Sequence, residues 1–104
     1  MIRGTTPTYT FDIPLDASSI ADLRLSFAQE GTELVKKTKN DVKLEGQKIT
    51  IKLTQEDTLK FDHEKSAVQI QLRVLTTGGD VMTSNIMTVN VWQSLNEEVL
   101  TTGG

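Results

Sequence analysis

Apolar and polar residues alternate along most of this chain, with little helical periodicity. Val68, Ile70, Leu72 and Val74 alternate with Gln69, Gln71 and Arg73, the period of a strand with one face in a core. Thr77-Gly78-Gly79-Asp80 follows, and a second run leads to Val91. Gly78-Gly79 suits a two-residue primed turn, whose central residues need positive φ. That turn sets Val68 opposite Val89, Ile70 opposite Met87, Leu72 opposite Asn85 and Val74 opposite Thr83. A one-residue slip would bring Ile86, Thr88 and Asn90 to the core-facing set, a more polar trio. A bulge near Asp80 is also compatible with the pattern. Asn85 would need a hydrogen-bond partner if buried opposite Leu72.

The same alternation marks the remaining strands. Residues 1–7 read as an extended lead-in to a strand carrying Tyr9, Phe11 and Ile13 and closed by Pro14. Asp16-Ala17-Ser18-Ser19 supplies turn chemistry. Leu23, Leu25 and Phe27 define a second strand, broken at Glu30-Gly31. Thr32 to Thr38 returns as a lysine-rich segment, the composition of an edge strand protected against aggregation. After Lys39-Asn40-Asp41, a hairpin turning at Glu45-Gly46 puts Val42 opposite Ile49 and continues through Ile51 and Leu53. Thr54-Gln55-Glu56-Asp57 forms a capping box that starts a short helix near 55–60. Leu59 and Phe61 would tuck it onto the core as it crosses between two sheets.

Beyond Val91 the pattern changes. Trp92, Leu95 and Val99 fall at i, i+3 and i+7, and Ser94-Leu95-Asn96-Glu97 repeats the capping-box spacing. This predicts a short amphipathic helix over Ser94–Leu100, with fraying from Thr101 to Gly104. The string Val-Leu-Thr-Thr-Gly-Gly occurs at Val74–Gly79 and again at Val99–Gly104. Six residues in two contexts do not make a structural repeat, and the pattern supplies no reason for the echo.

Composition narrows the class. A chain of 104 residues fits one domain with one modest core. A net charge of −3 offers no broad basic field for nucleic acid. No apolar run approaches the roughly 20 residues that span a bilayer, and Met1-Ile2-Arg3-Gly4-Thr5-Thr6 lacks a signal peptide's apolar stretch. Zero cysteines exclude disulfides, thiolate catalysis and cysteine-based zinc sites, and fit synthesis in a cytoplasm.

Candidate chemistry is sparse. His63 is the only histidine, flanked by Asp62 and Glu64, with no ligand spacing elsewhere to complete a metal site. It reads as an exposed turn residue. Glu56, Asp57, Asp62 and Glu64 cluster in sequence, and a small hydrolase could use two such carboxylates; helix-start acids on a solvated face explain them more simply. No serine sits in a nucleophile elbow, and Gly78-Gly79 lacks the Gly-Lys-Ser/Thr of a phosphate loop. Catalytic, cofactor and metal residues are therefore not assigned. Phe11, Phe27, Phe61 and Tyr9 fall on apolar faces, leaving Trp92 as cap or interface anchor. Lys36, Lys37 and Lys39 form a small basic patch on the edge strand.

A family resemblance adds to this. Arg3-Gly4-Thr5-Thr6-Pro7, Leu53-Thr54-Gln55-Glu56-Asp57-Thr58-Leu59, Arg73-Val74-Leu75-Thr76 and Asn85-Ile86-Met87-Thr88-Val89 stand in an order that resembles small tail-region proteins of phages and prophages of Gram-positive bacteria. More distantly, the chain is similar to the amino-terminal domain of phage baseplate upper proteins. The likeness spans Arg3–Val91 and implies a virion component that docks to other tail proteins. Those baseplate proteins usually continue into long helical and receptor-attachment regions, so host-receptor attachment is not among the roles expected of residues 1–104.

Together these readings predict an all-β, immunoglobulin-like antiparallel sandwich of about seven strands over residues 1–91, followed by a tail, 92–104. The expected role is non-enzymatic: a structural docking protein of a phage tail or baseplate, made in the bacterial cytoplasm and carried in the virion. Its expected partners are other tail or baseplate proteins and further copies of itself, without nucleic acid, cofactor or membrane insertion. Trp92, Leu95, Val99 and Leu100 are the expected interface residues. The alternative is a carbohydrate-binding module that touches cell-wall glycans through Trp92.

Overall fold

Eight strands form two antiparallel sheets in a computed structural model that describes residues 1–103. Gly104, which ends the tail and the second Val-Leu-Thr-Thr-Gly-Gly string, lies outside the described residues. The strands are β1 (Thr8–Asp12), β2 (Ile20–Gln29), β3 (Thr32–Thr38), β4 (Lys43–Glu45), β5 (Lys48–Lys52), β6 (Val68–Thr76), β7 (Val81–Thr83) and β8 (Met87–Val89). One sheet has the order β1-β5-β4; the other has the order β3-β2-β6-β7, with β8 also on β6. Besides two 3-10 turns, at Ala17–Ser19 and Lys39–Asp41, an α-helix, α1 (Gln55–Leu59), lies on the connection from β5 in the first sheet to β6 in the second.

The alternating residues build the core. Ile49, Ile51 and Leu53 from the first sheet and its exit meet Leu23, Leu25, Phe27, Val68 and Ile70 from the second, all at most 2% exposed. Phe61, just after α1, packs against Phe27 with ring centroids 6.3 Å apart at 46°, a tilted pairing that suits the ring quadrupoles. Tyr9 and Phe11 are half-buried against this cluster, opposite Ile51 and Ile49. Burial pushes the Tyr9 phenol above its ordinary pKa.

Expected registers hold in part. Val68 faces Val89 and Ile70 faces Met87. Farther along, Val74 faces Met82 rather than Thr83. The turn causes the shift: Thr76 N–H donates to Asp80 O (2.8 Å) and Gly79 N–H to Thr76 O (3.0 Å). Of the two glycines only Gly79 has positive φ, at 90°. Three residues thus lie between Thr76 and Asp80, the arrangement of a turn followed by a bulge. Ser84 absorbs the extra residue. Its N–H donates to Leu72 O (2.8 Å) and its Oγ accepts from Leu72 N–H (3.0 Å), so Asn85 is exposed instead of facing Leu72.

The β4–β5 hairpin turns at Gly46-Gln47, not Glu45-Gly46, and Leu44 rather than Val42 faces Ile49. Gly46 has φ 57°, the positive φ that a II′ turn places at its first central residue. The shift is two residues, so every side chain keeps its face. Glu30-Gly31 supplies another tight hairpin, with both φ values positive (50° and 82°) between Gln29 and Thr32.

The capping box at α1 forms in full. Asp57 N–H donates to Thr54 Oγ1 and Thr54 N–H to Asp57 Oδ2, both at 3.0 Å. The helix expected over Ser94–Leu100 does not form; the tail is irregular. Its cap is weak, with Ser94 N–H 3.4 Å from Glu97 Oε2, while Glu97 Oε1 is drawn to Arg3 at 2.7 Å. Asn96 Oδ1 accepts from Glu98 N–H, a local turn that competes with helix. A helix this short needs tertiary burial, and Leu95 is fully exposed.

Candidate functional site

The sheets do not close on each other along one side. Between β1 of the first sheet and β7–β8 of the second runs a groove of about 440 Å³. Phe11 and Ile13 line one wall, and Leu72, Val74, Met82 and Met87 line the other; Asp12 is its one charged lining residue. The strand pattern explains this lining. Met82 pairs with inward-facing Val74 and so shares its face, while Val81 pairs with outward-facing Leu75.

Edge chemistry differs sharply around the molecule. On β3, Lys36 points outward and Lys37 inward, beside Leu25. Inward lysines are a device that discourages edge pairing. On β4, Lys43 and Glu45 are exposed. The β7–β8 edge carries no charged side chain, and Val81, Met82, Ile86 and Met87 are all exposed. Isolated exposed apolar residues are ordinary; here four fall along one strand edge beside an apolar groove.

The tail leaves the domain elsewhere. Trp92 N–H donates to Met1 O (2.8 Å) and Arg3 N–H to Trp92 O (2.9 Å), a short parallel bridge between Ile2 and Trp92. Arg3 ties Glu97 and the Leu59 carbonyl together. Gln55 holds Leu100 by two bonds of 2.8 Å: its Nε2 donates to Leu100 O, and its Oε1 accepts from Leu100 N–H. Trp92 is 62% exposed, and Leu95, Val99 and Leu100 are exposed as well. None of the four lines the groove, so the expected interface residues and the groove are separate surfaces. The groove was missed at the level of sequence; the signal it left there is a second hairpin arm that carries Val81, Met82, Ile86 and Met87 without an intervening lysine.

The acidic cluster is dispersed by the fold. Asp57, 9% exposed at its side chain, meets Lys37 Nζ at 2.8 Å. Burial opposes its ionisation, but Lys37 and the Thr54 N–H outweigh burial and hold the carboxyl below its ordinary pKa. Asp62 Oδ1 accepts from Glu64 N–H, and Glu56 and Glu64 are exposed. His63 Nε2 is 3.9 Å from Glu64 Oε1. Among the described residues no three histidine or carboxylate groups converge as a metal site, and no helix is long and apolar enough to cross a membrane. The basic patch is divided too: Lys37 pairs with Asp57, and Lys39 Nζ donates to Ile20 O.

No protein-family model, curated protein or solved structure matches the chain.

Proposed function

We propose that this chain is a non-enzymatic docking module with an immunoglobulin-like sandwich, acting as a structural component of a phage or prophage tail or baseplate. The observation that carries the docking reading is the uncharged β7–β8 edge beside an apolar groove, on a molecule whose β3 and β4 edges bear charge. The strand orders β1-β5-β4 and β3-β2-β6-β7 support the immunoglobulin-like reading, since such sandwiches pack two antiparallel sheets with hairpin partners placed this way. The phage setting rests on the resemblance over Arg3–Val91.

The test is incorporation. Particles purified after induction of a host carrying the gene should contain the chain at fixed stoichiometry, and Met82→Glu should fold yet be left out. Complete, infectious particles from a gene-deleted host, with the chain remaining in the soluble fraction, would overturn the reading. The exposed indole of Trp92 favours a second reading, glycan binding. A glycan array showing binding that Trp92→Ala abolishes would support it; a blank array ends it.

A further inference from the structure

The groove lies beside the open edge of β7, and the tail contains a copy of the segment that pairs on that strand's other side. We propose that Val99–Thr102 of one copy adds as a strand to the open edge of β7 in a second copy. The inference rests on the docking reading above and names its partner.

Backbone polarity makes the edge receptive. Asp80 and Ser84 turn their main-chain groups toward β6, where they bond Thr76 and Leu72. Alternation along an antiparallel strand therefore points the N–H and C=O of Val81 and Thr83 to the open side. The chain's own lead-in fills only the far end of this seam, through the Ile2–Trp92 bridge.

The echoed sequence supplies the occupant. On the closed side of β7, Val74 faces Met82 and Leu75 faces Val81. Val99-Leu100 is the same dipeptide, followed by the same Thr-Thr-Gly. Added antiparallel on the open side, Val99 lies beside Met82 over the groove and Leu100 beside Val81 on the outer face. Each apolar pair on the sheet is thereby extended by one residue of its own kind. The Leu100 N–H and C=O that this ladder requires are held by the Gln55 amide, a parking place made of two exposed hydrogen bonds. The donor segment and the receiving edge are different surfaces, so the contact is head-to-tail and propagates into rings or open chains.

Analytical ultracentrifugation of the full chain from micromolar to millimolar concentration tests this. Wild type should show a mass that climbs with concentration. A tail variant, V99D with L100D, and an edge variant, Val81→Pro, should each be monomeric. Val81→Pro removes an outward N–H that β6 does not use, and Met82→Glu serves as a second edge variant if that one misfolds by circular dichroism. An equimolar mixture of tail and edge variants should give a heterodimer, because each supplies what the other lacks. Gln55→Ala, which frees the tail, should move association several-fold to lower concentration. A wild type monomeric at millimolar concentration, association that survives the tail or edge variants, or a mixture that stays monomeric would overturn the proposal. If wild type is monomeric while particle incorporation still depends on Met82, docking stands and the second-copy inference falls. Self-association without incorporation does the reverse: the contact between copies stands and the virion role falls.

Discussion

Gln29 offers the sharpest test of how the two sheets are joined. It ends β2 and is 2% exposed, yet its amide is fully engaged with the loop that follows α1. Its Nε2 donates to Asp62 O at 2.8 Å and Ser66 O at 3.0 Å, while its Oε1 accepts from Asp62 N–H at 2.8 Å. Gln29→Met keeps the length and removes all three bonds. Each bond contributes about 1 kcal/mol net, and each main-chain group left dry costs more. Water can reach part of this loop, so the expected loss is about 3 kcal/mol. In a chain of this length that lowers the melting midpoint by roughly 12 °C. Gln29→Glu keeps the acceptor for Asp62 N–H but sets a carboxylate against two carbonyl oxygens, which raises its folded pKa. Its deficit should therefore grow as pH rises above about 4.3, the unfolded glutamate value, and level off once pH passes the folded value. Chemical denaturation of the three proteins between pH 4 and 8 reads both effects. A Gln29→Met loss under about 0.5 kcal/mol, or a pH-independent Gln29→Glu deficit, would refute this account of the loop.

Other perturbations probe separate features. Asp57→Asn leaves the Lys37 ammonium, 17% exposed at its side chain, without its counter-charge, and should cost about 1–2 kcal/mol at pH 7 by urea unfolding. Because the Asp57 carboxyl is held below its ordinary pKa, that advantage of wild type is present above about pH 4 and disappears as pH falls through the folded value; curves that stay parallel at low pH would contradict the pairing. Glu30→Asn should raise stability by about 0.5 kcal/mol in chemical denaturation, since asparagine tolerates the positive φ found there better than glutamate does. Phe61→Ala should cost about 3–4 kcal/mol by removing a buried ring that packs on Phe27. Trp92→Ala should change stability by less than about 0.5 kcal/mol, because its indole is largely in solvent.

Strand identity was legible because residues 68–74 and 23–27 bury alternate side chains, a period that only an extended chain satisfies. Turn detail was not. Gly78 and Gly79 tolerate positive φ equally, so the pair does not reveal that only Gly79 adopts it. The opposite case is Glu30, a residue type that hides a primed turn. A hairpin displaced by two residues keeps the same faces, so the hydrophobic pattern could not separate Leu44 from Val42 as the partner of Ile49. The tail helix failed for a reason of context: its stripe is real, but no surface of this domain covers Leu95. The groove is a gap between strands distant in sequence, β1 and β7–β8. Its one trace in the sequence, a hairpin arm without lysines, does not say which strand lies across the gap.

The geometry of the open edge also limits the proposed strand addition. The bulge at Ser84 breaks the edge after the three residues of β7, and a ladder that short contributes few hydrogen bonds, each modest in water. In the proposed contact, discrimination then falls to the side chain that enters the groove beside Met82 and Met87. A single contact of this size is weak by area. Arranged head-to-tail in a closed ring, however, every subunit is held by two such contacts, and release requires breaking both. Closure then supplies the effective concentration that the individual contact lacks. Under the proposed strand addition an undefended edge is tolerable, because the bulge keeps it too short for uncontrolled sheet growth and the groove favours an apolar residue in register with Met82.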